Sequence, residues 1–476
     1  MPPSPAYRPS TRHAELGDAF YDIVRPAEFP KQILRYRNQR WAAHVGLDAL
    51  TDEEWIAHFA RFEPLPGSFS KPLALRYHGH QFRVYNPDIG DGRGFLFAQL
   101  CDMEDGRLLD LGTKGSGRTP YSRTADGRLT LKGGVREILA TEMLEALGVD
   151  TSKTFSLIET GEDLTRNDEP SPTRSSVLVR LSHSHIRIGS FQRLRALGET
   201  ENVRKLLDYT VQTYMPQVWR DDTAQRAVAF LEEVCRRVAR TGANWLVAGF
   251  VHGVLNSDNI NVTGESFDYG PWRFLPHNDP AFTAAYFDQT GLYAFARQPE
   301  ALLWNLTRLA ECLLPFALKT DLEKTLALFE PTLHRAFIDA LLRRLGLASA
   351  GDEADTDLVK EFWSFLAETK APFEQTFFDC YGGIVRPDRF DQSPSRRYYQ
   401  SDRFVPVHAA LARHKPSPRA KLNHSYFQRR TPCTMLIDEM EALWQPIAEA
   451  DDWSAFHVKL AAIAEMREAY GSDGFK

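Results

Sequence analysis

His252-Gly253-Val254-Leu255-Asn256-Ser257-Asp258-Asn259, followed by Asp268-Tyr269-Gly270, is the stretch on which the reading of this chain turns. It follows a helical, largely apolar run that ends near Phe250. It sets two carboxylates and two carboxamides into loop-forming text. Asp and Asn oxygens are the ligands that hard divalent cations take. A carboxylate beside them can accept the proton of an attacking hydroxyl. Val254, directly after the His-Gly pair, cannot take a proton, and a further carboxylate, Asp258, sits directly before Asn259. The segment NINVTGESFDYG (259–270), which follows Asp258 and includes Asp268, is expected to be a short hairpin, turning near Thr263-Gly264-Glu265.

Upstream, FLFAQL (95–100) and RLLDLG (107–112) read as paired strands, and the second leads to Lys114. LKGGVREILATEMLEALG (131–148) has Val135, Ile138, Leu139, Met143, Leu144 and Leu147 at helical spacing, with Gly148 suited to its C-terminal cap. Glu137 then lies early in a helix that follows the strand lysine. Kinases grip nucleotide phosphates with that pairing. Small-molecule kinases with a protein-kinase-like fold carry H-G-D-x-x-x-x-N and a later metal-binding Asp. Here the His, Gly, Asn259 and Asp268 are present, and the carboxylate has moved from position 254 to 258. Gly90-Asp91-Gly92-Arg93-Gly94 can bring backbone N–H groups close to phosphates. Each piece also has a plain structural reading: a hairpin turn for the glycines, solvated surface charge for Lys114 and Glu137, loop residues for 252–259.

Charge separates these readings further. The chain has 476 residues, 57 Lys+Arg and 63 Asp+Glu, a net charge of −6, which argues against a dedicated nucleic-acid binder. Yet Leu111–Arg136 holds six basic residues and one acid, and Ser171–Gly198 holds five arginines, Arg180 and Arg187 among them, and no acid. Such local excess suits a compact polyanion. No run of eighteen apolar residues occurs, so a membrane span is not expected. Cys101, Cys235, Cys312, Cys380 and Cys433 are scattered and form no CxxC pair, which points to a reducing compartment. The Pro-rich start lacks an apolar h-region, and residues 1–17 are expected to be a disordered leader. A capping box, Thr51-x-x-Glu54, predicts a short helix after it. Residues 18–200 read as a mixed α/β lobe and 201–476 as a larger, mainly helical lobe, with loops expected near 348–356 and 385–402. The fold class is α+β, bilobal and protein-kinase-like.

Taken together, YHGHQF (77–82), GDGRG (90–94), KGSGRTPYSR (114–123) with DGR (126–128), VREILATEMLEALGV (135–149), RLSHSHIRIGSF (180–191), HGVLNSDN (252–259), FDYGP (267–271) and YAFARQP (293–299) resemble the selenoprotein O family of kinase-like protein adenylyltransferases. The likeness runs in family order from about residue 18 to 310 and weakens beyond. It implies that ATP binds inverted relative to a protein kinase, that AMP passes to Ser, Thr or Tyr hydroxyls of proteins, with the enzyme itself an open candidate, and that pyrophosphate leaves. It assigns Asp258 as proton acceptor and Asn259 and Asp268 as ligands of Mg²⁺ or Mn²⁺. Gly90, Gly92, Arg93, Lys114, Asp126, Gly127, Arg180, Arg187 and Asp268 become ATP contacts, and Glu137 the partner of Lys114. UTP stands as a second nucleotide. The location implied is cytoplasmic, or mitochondrial in a eukaryote.

The chain departs from the family pattern in two respects. The family's C-terminal Cys or selenocysteine has no counterpart in Gly471–Lys476, and the loop 279–285 has no cysteine to pair with it. The C-terminal helical text also lacks the family's asparagine- and arginine-rich wording. Two other activities fit the motifs less well: a phosphotransferase, which Val254 disfavours, and a catalytically idle nucleotide-binding scaffold, which the intact set Lys114, Glu137, Asp258, Asn259 and Asp268 disfavours.

Overall fold

A computed structural model describes residues 4–167 and 169–471. Among them an antiparallel sheet and a large helical body pack together. The first half supplies strands β1 (Pro9–Ser10), β2 (Tyr21–Ile23), β3 (Ile33–Arg37), β4 (Leu73–Leu75), β5 (Gly79–Gln81), β6 (Val84–Asn86), β7 (Leu96–Cys101), β8 (Leu108–Lys114), β9 (Leu129–Thr130), β10 (Lys153–Leu164) and β11 (Thr173–Ser182). The sheet order is β2-β4-β7-β8-β11-β10-β3, with β1 added to β7 and β9 to β11, while β5 and β6 form a separate small hairpin. The β7–β8 pairing expected from the sequence is present, Leu100 facing Leu109 across the ladder.

Helices α1 (Gln39–His44), α2 (Asp52–Phe59) and α3 (Leu131–Ala146) cover the sheet. The Thr51 hydroxyl accepts the Glu54 N–H and the Glu54 carboxylate accepts the Thr51 N–H, closing the capping box at the start of α2. Trp55 of α2 stacks on Phe155, at 4.9 Å between ring centroids, on one sheet face. α3 lies on the other face, where Ile138, Leu139, Met143 and Leu144 join Leu157 and Leu178 in one buried cluster. Thr130 caps α3 by accepting the Gly133 N–H, and Gly148 follows its end at φ +81°.

Beyond the sheet come α4 (Ile188–Ala196), α5 (Thr200–Tyr214), α6 (Thr223–Val247) and α7 (Gln298–Leu313). Two short strands, β12 (Phe250–Val251) and β13 (Arg273–Phe274), pair with each other and so close the ends of the 252–272 segment. Core packing is continuous across position 200: one buried cluster runs from Leu16 through α3, α5 and α6 to Met466. The helices Ile437–Ala450 and Ser454–Tyr470 return to the sheet portion, where Arg467 bonds Glu142 of α3 at 2.7 Å and Glu441 bonds Lys132 at 2.7 Å.

Several expectations are corrected. Residues 4–17 are built into the fold: β1 pairs with β7, and Tyr7, His13 and Leu16 are buried. Their apolar side chains find sheet partners far along the chain, which a local reading cannot register. Residues 1–3 lie outside the described residues. The 259–270 stretch is not a hairpin. Its arms bridge outward, Asn261 to Arg187 and Ser266 to Thr151, about a turn at Gly264. The 385–402 stretch contains two short helices, Asp388–Gln392 and Arg396–Tyr399, each anchored by a buried aromatic, Phe390 and Tyr399, and a helix starts at Asp352.

The five cysteines are free, and burial pushes the Cys235 and Cys312 thiols up to about 12. Ser472–Lys476, where the C-terminal redox residue would sit, also lie outside the described residues. No helix among the described residues is long and apolar enough to cross a membrane.

Candidate active site

Strand register brings the site's cations together. Lys114 lies opposite Leu178 and Gly112 opposite Arg180, so Lys114 and Arg180 project from the same face of β8 and β11. α3 crosses that face and presents Glu137, 1% exposed. Lys114 Nζ donates to Glu137 Oε2 at 2.6 Å and to Asp268 Oδ1 at 3.1 Å. Arg180 donates to the same Asp268 oxygen at 3.2 Å, and its Nε lies 3.7 Å from Glu137 Oε1. Two acids and two cations thus share one buried knot. Burial works against the Asp268 charge, but Lys114, Arg180, Arg187 and Arg93 hold its carboxyl well below the usual carboxylate range. Asp268 adopts φ +67°, a left-handed backbone uncommon for a non-glycine residue, and it aims the carboxylate into the knot.

Arg187 stands next to this group. Its guanidinium lies 4.1 Å from the centroid of Tyr77 and 3.4 Å from Asp91 Oδ1. Asp91 also accepts the Leu75 N–H, so it fastens the Gly90–Gly94 loop to the sheet and to Arg187. The sequence reading passed over Asp91 as loop text. Its position between Gly90 and Gly92 was the available signal. A Cβ on Gly90 would stand 2.5 Å from the Tyr121 ring, and one on Gly92 3.0 Å from the Tyr121 carbonyl oxygen. These glycines therefore let the loop close onto the 119–122 turn.

Asp258 has a different setting. It is 8% exposed, and its Oδ1 has no hydrogen-bond partner among the described residues. Burial pushes its carboxyl up to about 6, with Arg187 pulling the other way and Asp268 adding to the rise. The β5–β6 hairpin lies directly over it. The His80 N–H donates to the Ser257 hydroxyl at 2.7 Å, and the Phe82 N–H donates to Asn256 Oδ1 at 3.0 Å. Tyr293 supports the same Asn256 oxygen at 2.8 Å, and Gln192 bonds both His80 and Ser257. A Cβ on Gly79 would come within 3.1 Å of Asp258 Oδ1, so only glycine allows this approach without displacing the acid. Sequence reasoning gave this clamp no role.

Asn259 Nδ2 donates to the Val254 carbonyl at 3.0 Å, which leaves the amide oxygen as its free end. That oxygen and the remaining Asp268 carboxylate oxygen are the hard donors that Mg²⁺ or Mn²⁺ takes, so the residues present fit such an ion. His252 is fully buried, and its Nε2 lies 2.9 Å from the Phe267 carbonyl oxygen, which ties the two acid-bearing loops together.

A cleft of about 460 Å³ opens from Lys114 and Arg93 toward Tyr286 and Phe287. Most of its cations already have acids: Arg128 holds Glu162, Lys132 holds Glu441 and Arg166 holds Asp126. Asp126 is thus engaged by Arg166 at 2.8 Å, not by the Lys114 knot. Gly127 bonds the 114–123 loop through the Gly117 N–H at 3.2 Å. Of the expected site residues, Lys114, Glu137, Arg180 and Asp268 form one knot. Arg187 and Asp258 adjoin it, Gly90, Gly92 and Arg93 form its loop, and Asp126 and Gly127 lie on the neighbouring turn.

A knot of cations and acids beside a buried acid can serve phosphoryl or nucleotidyl transfer, and the comparisons with known proteins give the class, the nucleotidyltransferases. Residues 6–464 match the family model described as protein adenylyltransferase SelO. The chain belongs to the SelO family. It is 41% identical over 464 residues to the protein nucleotidyltransferase YdiU of Trichormus variabilis, covering 94% of each chain. It is 42% identical over 469 residues to the protein of the same name from Gloeobacter violaceus, covering 96% of this chain and 94% of that one. The Vibrio vulnificus CMCP6 relative is 36% identical over 378 residues, covering 79% and 75%. The likeness therefore extends well beyond residue 310, through most of the C-terminal helices. The protein is an enzyme, a nucleotidyltransferase.

Proposed function

We propose that this enzyme transfers AMP from ATP to Ser, Thr or Tyr hydroxyls of proteins, within a bilobal protein-kinase-like fold that divides near residue 200 and binds ATP inverted. The observation that carries this reading is Asp258: a buried carboxylate with a free oxygen and a pKa near 6, at a loop position where Val254 removes the usual phosphotransfer base. The acceptor oxygen attacks the α-phosphorus, the bond from that phosphorus to the bridging oxygen breaks, and pyrophosphate leaves. The hydroxyl proton passes to Asp258. A base of this pKa is ionised at neutral pH and still basic enough to take a proton late in a loose transition state. Lys114, Arg180 and Arg187 face the charge that develops on the leaving diphosphate, and Glu137 keeps Lys114 in place. Asn259 and Asp268 would hold Mg²⁺ or Mn²⁺, which neutralises phosphate charge when bound. The bacterial relatives and the scattered free cysteines support a cytoplasmic setting.

Incubation with ATP and Mg²⁺ or Mn²⁺, followed by intact-mass analysis of the enzyme and of trapped acceptors, tests the reading. An AMP-sized addition that disappears in Asp258→Ala is the expected result. A phosphate-sized addition would replace this reading with phosphotransfer.

A further inference from the structure

The cleft carries more positive charge than the Lys114 knot accounts for. Arg93, Arg136 and Arg273 line it without a carboxylate within ion-pair distance among the described residues, in contrast to Lys114, Arg128, Lys132 and Arg166. Arg273 acts on Arg136. Burial and the facing Arg273 lower the Arg136 guanidinium to about 10, and burial lowers Arg273 as well. The acids that face them are Glu441, committed to Lys132, and, for Arg136, Glu169. Their own bonds are to backbone carbonyls. Arg136 reaches Gly270 and Trp272 at 3.3 and 3.4 Å, and Arg273 reaches Trp272 at 2.8 Å. The Trp272 ring, 5.0 Å from the Arg136 guanidinium, fixes that side chain against the cleft wall.

Helix geometry separates this pair from the knot. Arg136 and Glu137 are consecutive on α3, so their side chains diverge by about 100° around the axis. Glu137 turns inward to Lys114, and Arg136 turns to the cleft. Tyr269, Gly270 and Pro271 line the cleft between Asp268 and Arg273. Two half-buried guanidinium groups without an acid raise each other's energy, and an oxyanion with several charges relieves both at once.

We propose that Arg136 and Arg273 form a second oxyanion subsite of the cleft, apart from the Lys114–Arg180–Asp268 knot, and that it takes pyrophosphate. The choice of ligand rests on the nucleotidyl-transfer reading, since that reaction leaves a diphosphate in this cleft. The subsite gives it a station outside the knot before release.

The test is a binding measurement that needs no turnover. Pyrophosphate is titrated calorimetrically into the full-length enzyme saturated with a non-hydrolysable ATP analogue and Mg²⁺. One pyrophosphate is expected to bind per loaded enzyme. The double variant Arg136→Gln/Arg273→Gln is expected to weaken it about tenfold or more while changing affinity for the analogue by less than about threefold. Arg273→Lys, which keeps the charge but loses the fork, should give a smaller loss and guards against misfolding of the double variant. The subsite is overturned if the analogue abolishes pyrophosphate binding to the wild type, if the double variant binds it unchanged, or if sulfate binds as tightly. Failure of AMP transfer with this binding intact would refute the proposed reaction and leave the subsite standing.

Discussion

Asp258 and Asp268 stand ten positions apart in one loop segment, and their surroundings drive them in opposite directions. Asp268 shares an oxygen with Lys114 and Arg180 and is held ionised. Asp258 is more deeply buried, keeps one oxygen without a partner, and has its carboxyl raised to about 6. A carboxylate matched with cations suits fixed charge and metal binding, whereas a desolvated one suits proton transfer. One residue type thus supplies both parts of the chemistry, and the difference lies in what β8, β11 and the β5–β6 hairpin place around each.

Replacing each acid by its amide breaks the comparison most directly. Asp258→Asn and Asp268→Asn should each lower AMP transfer about 10²–10⁴-fold, as the loss of a base or of a fixed charge does. Their thermal stabilities should move apart. The raised folded pKa of Asp258 means that the fold prefers its neutral form. The penalty is absent below the unfolded value near 3.8, grows as pH rises, and is complete above about 6. It amounts to about 3 kcal/mol at neutral pH, so Asp258→Asn should melt higher than wild type at pH 7. The lowered pKa of Asp268 contributes stability that is full above its unfolded value and lost only as pH falls well below it. Asp268→Asn should therefore melt lower at pH 7. Equal shifts in a thermal melt would show that the two environments do not differ as described.

Glu137→Gln tests the knot alone. It breaks the 2.6 Å bond to Lys114 and leaves that ammonium group, 6% exposed, with Asp268 as its only ion-pair acid among the described residues. A loss of about 3 kcal/mol, the lower end for one half of a buried pair, should appear in denaturant unfolding, with weaker binding of ATP. A smaller effect is expected in the pH profile. With saturating acceptor, log kcat should rise with unit slope and level off above about 6 as Asp258 ionises.

Much of the knot was legible because its parts are local. The strand ending at Lys114, the α3 periodicity and its Gly148 cap, and the capping box at Thr51 are patterns within one element. Strand and helix then bring Lys114 to Glu137 over 23 residues. The surroundings of Asp258 were not legible, because His80 meets Ser257 across 177 residues and Phe82 meets Asn256 across 174. Nothing in YHGHQF alone says which loop it covers. The same holds for Arg136 and Arg273, which read as ordinary helix and loop cations until β13 brings the second beside α3. The 259–270 stretch misled for a related reason: its turn is real, but its arms find partners in 151 and 187 instead of each other.

The smallest effect isolates the hairpin's share. Gln81 ends β5, and its amide lies against Asp258, lowering a carboxyl that burial raises. Its own amide oxygen is held by Asn86 at 2.9 Å, which orients the side chain across the hairpin. Gln81→Ala leaves the backbone bonds from His80 and Phe82 in place, so the flap stays docked. With the amide gone, the acid loses a group that favours its ionised form, and the midpoint of the rate profile should move above 6. The rate at pH 6 should fall a few-fold, in line with about 1 kcal/mol for one hydrogen bond, and recover as pH rises. A fall in rate that pH does not restore would assign the hairpin to acceptor binding, because the base would then be as fully ionised as before. Gln81→Glu should go further in the same direction, since a second carboxylate beside Asp258 raises its pKa by repulsion in addition to burial.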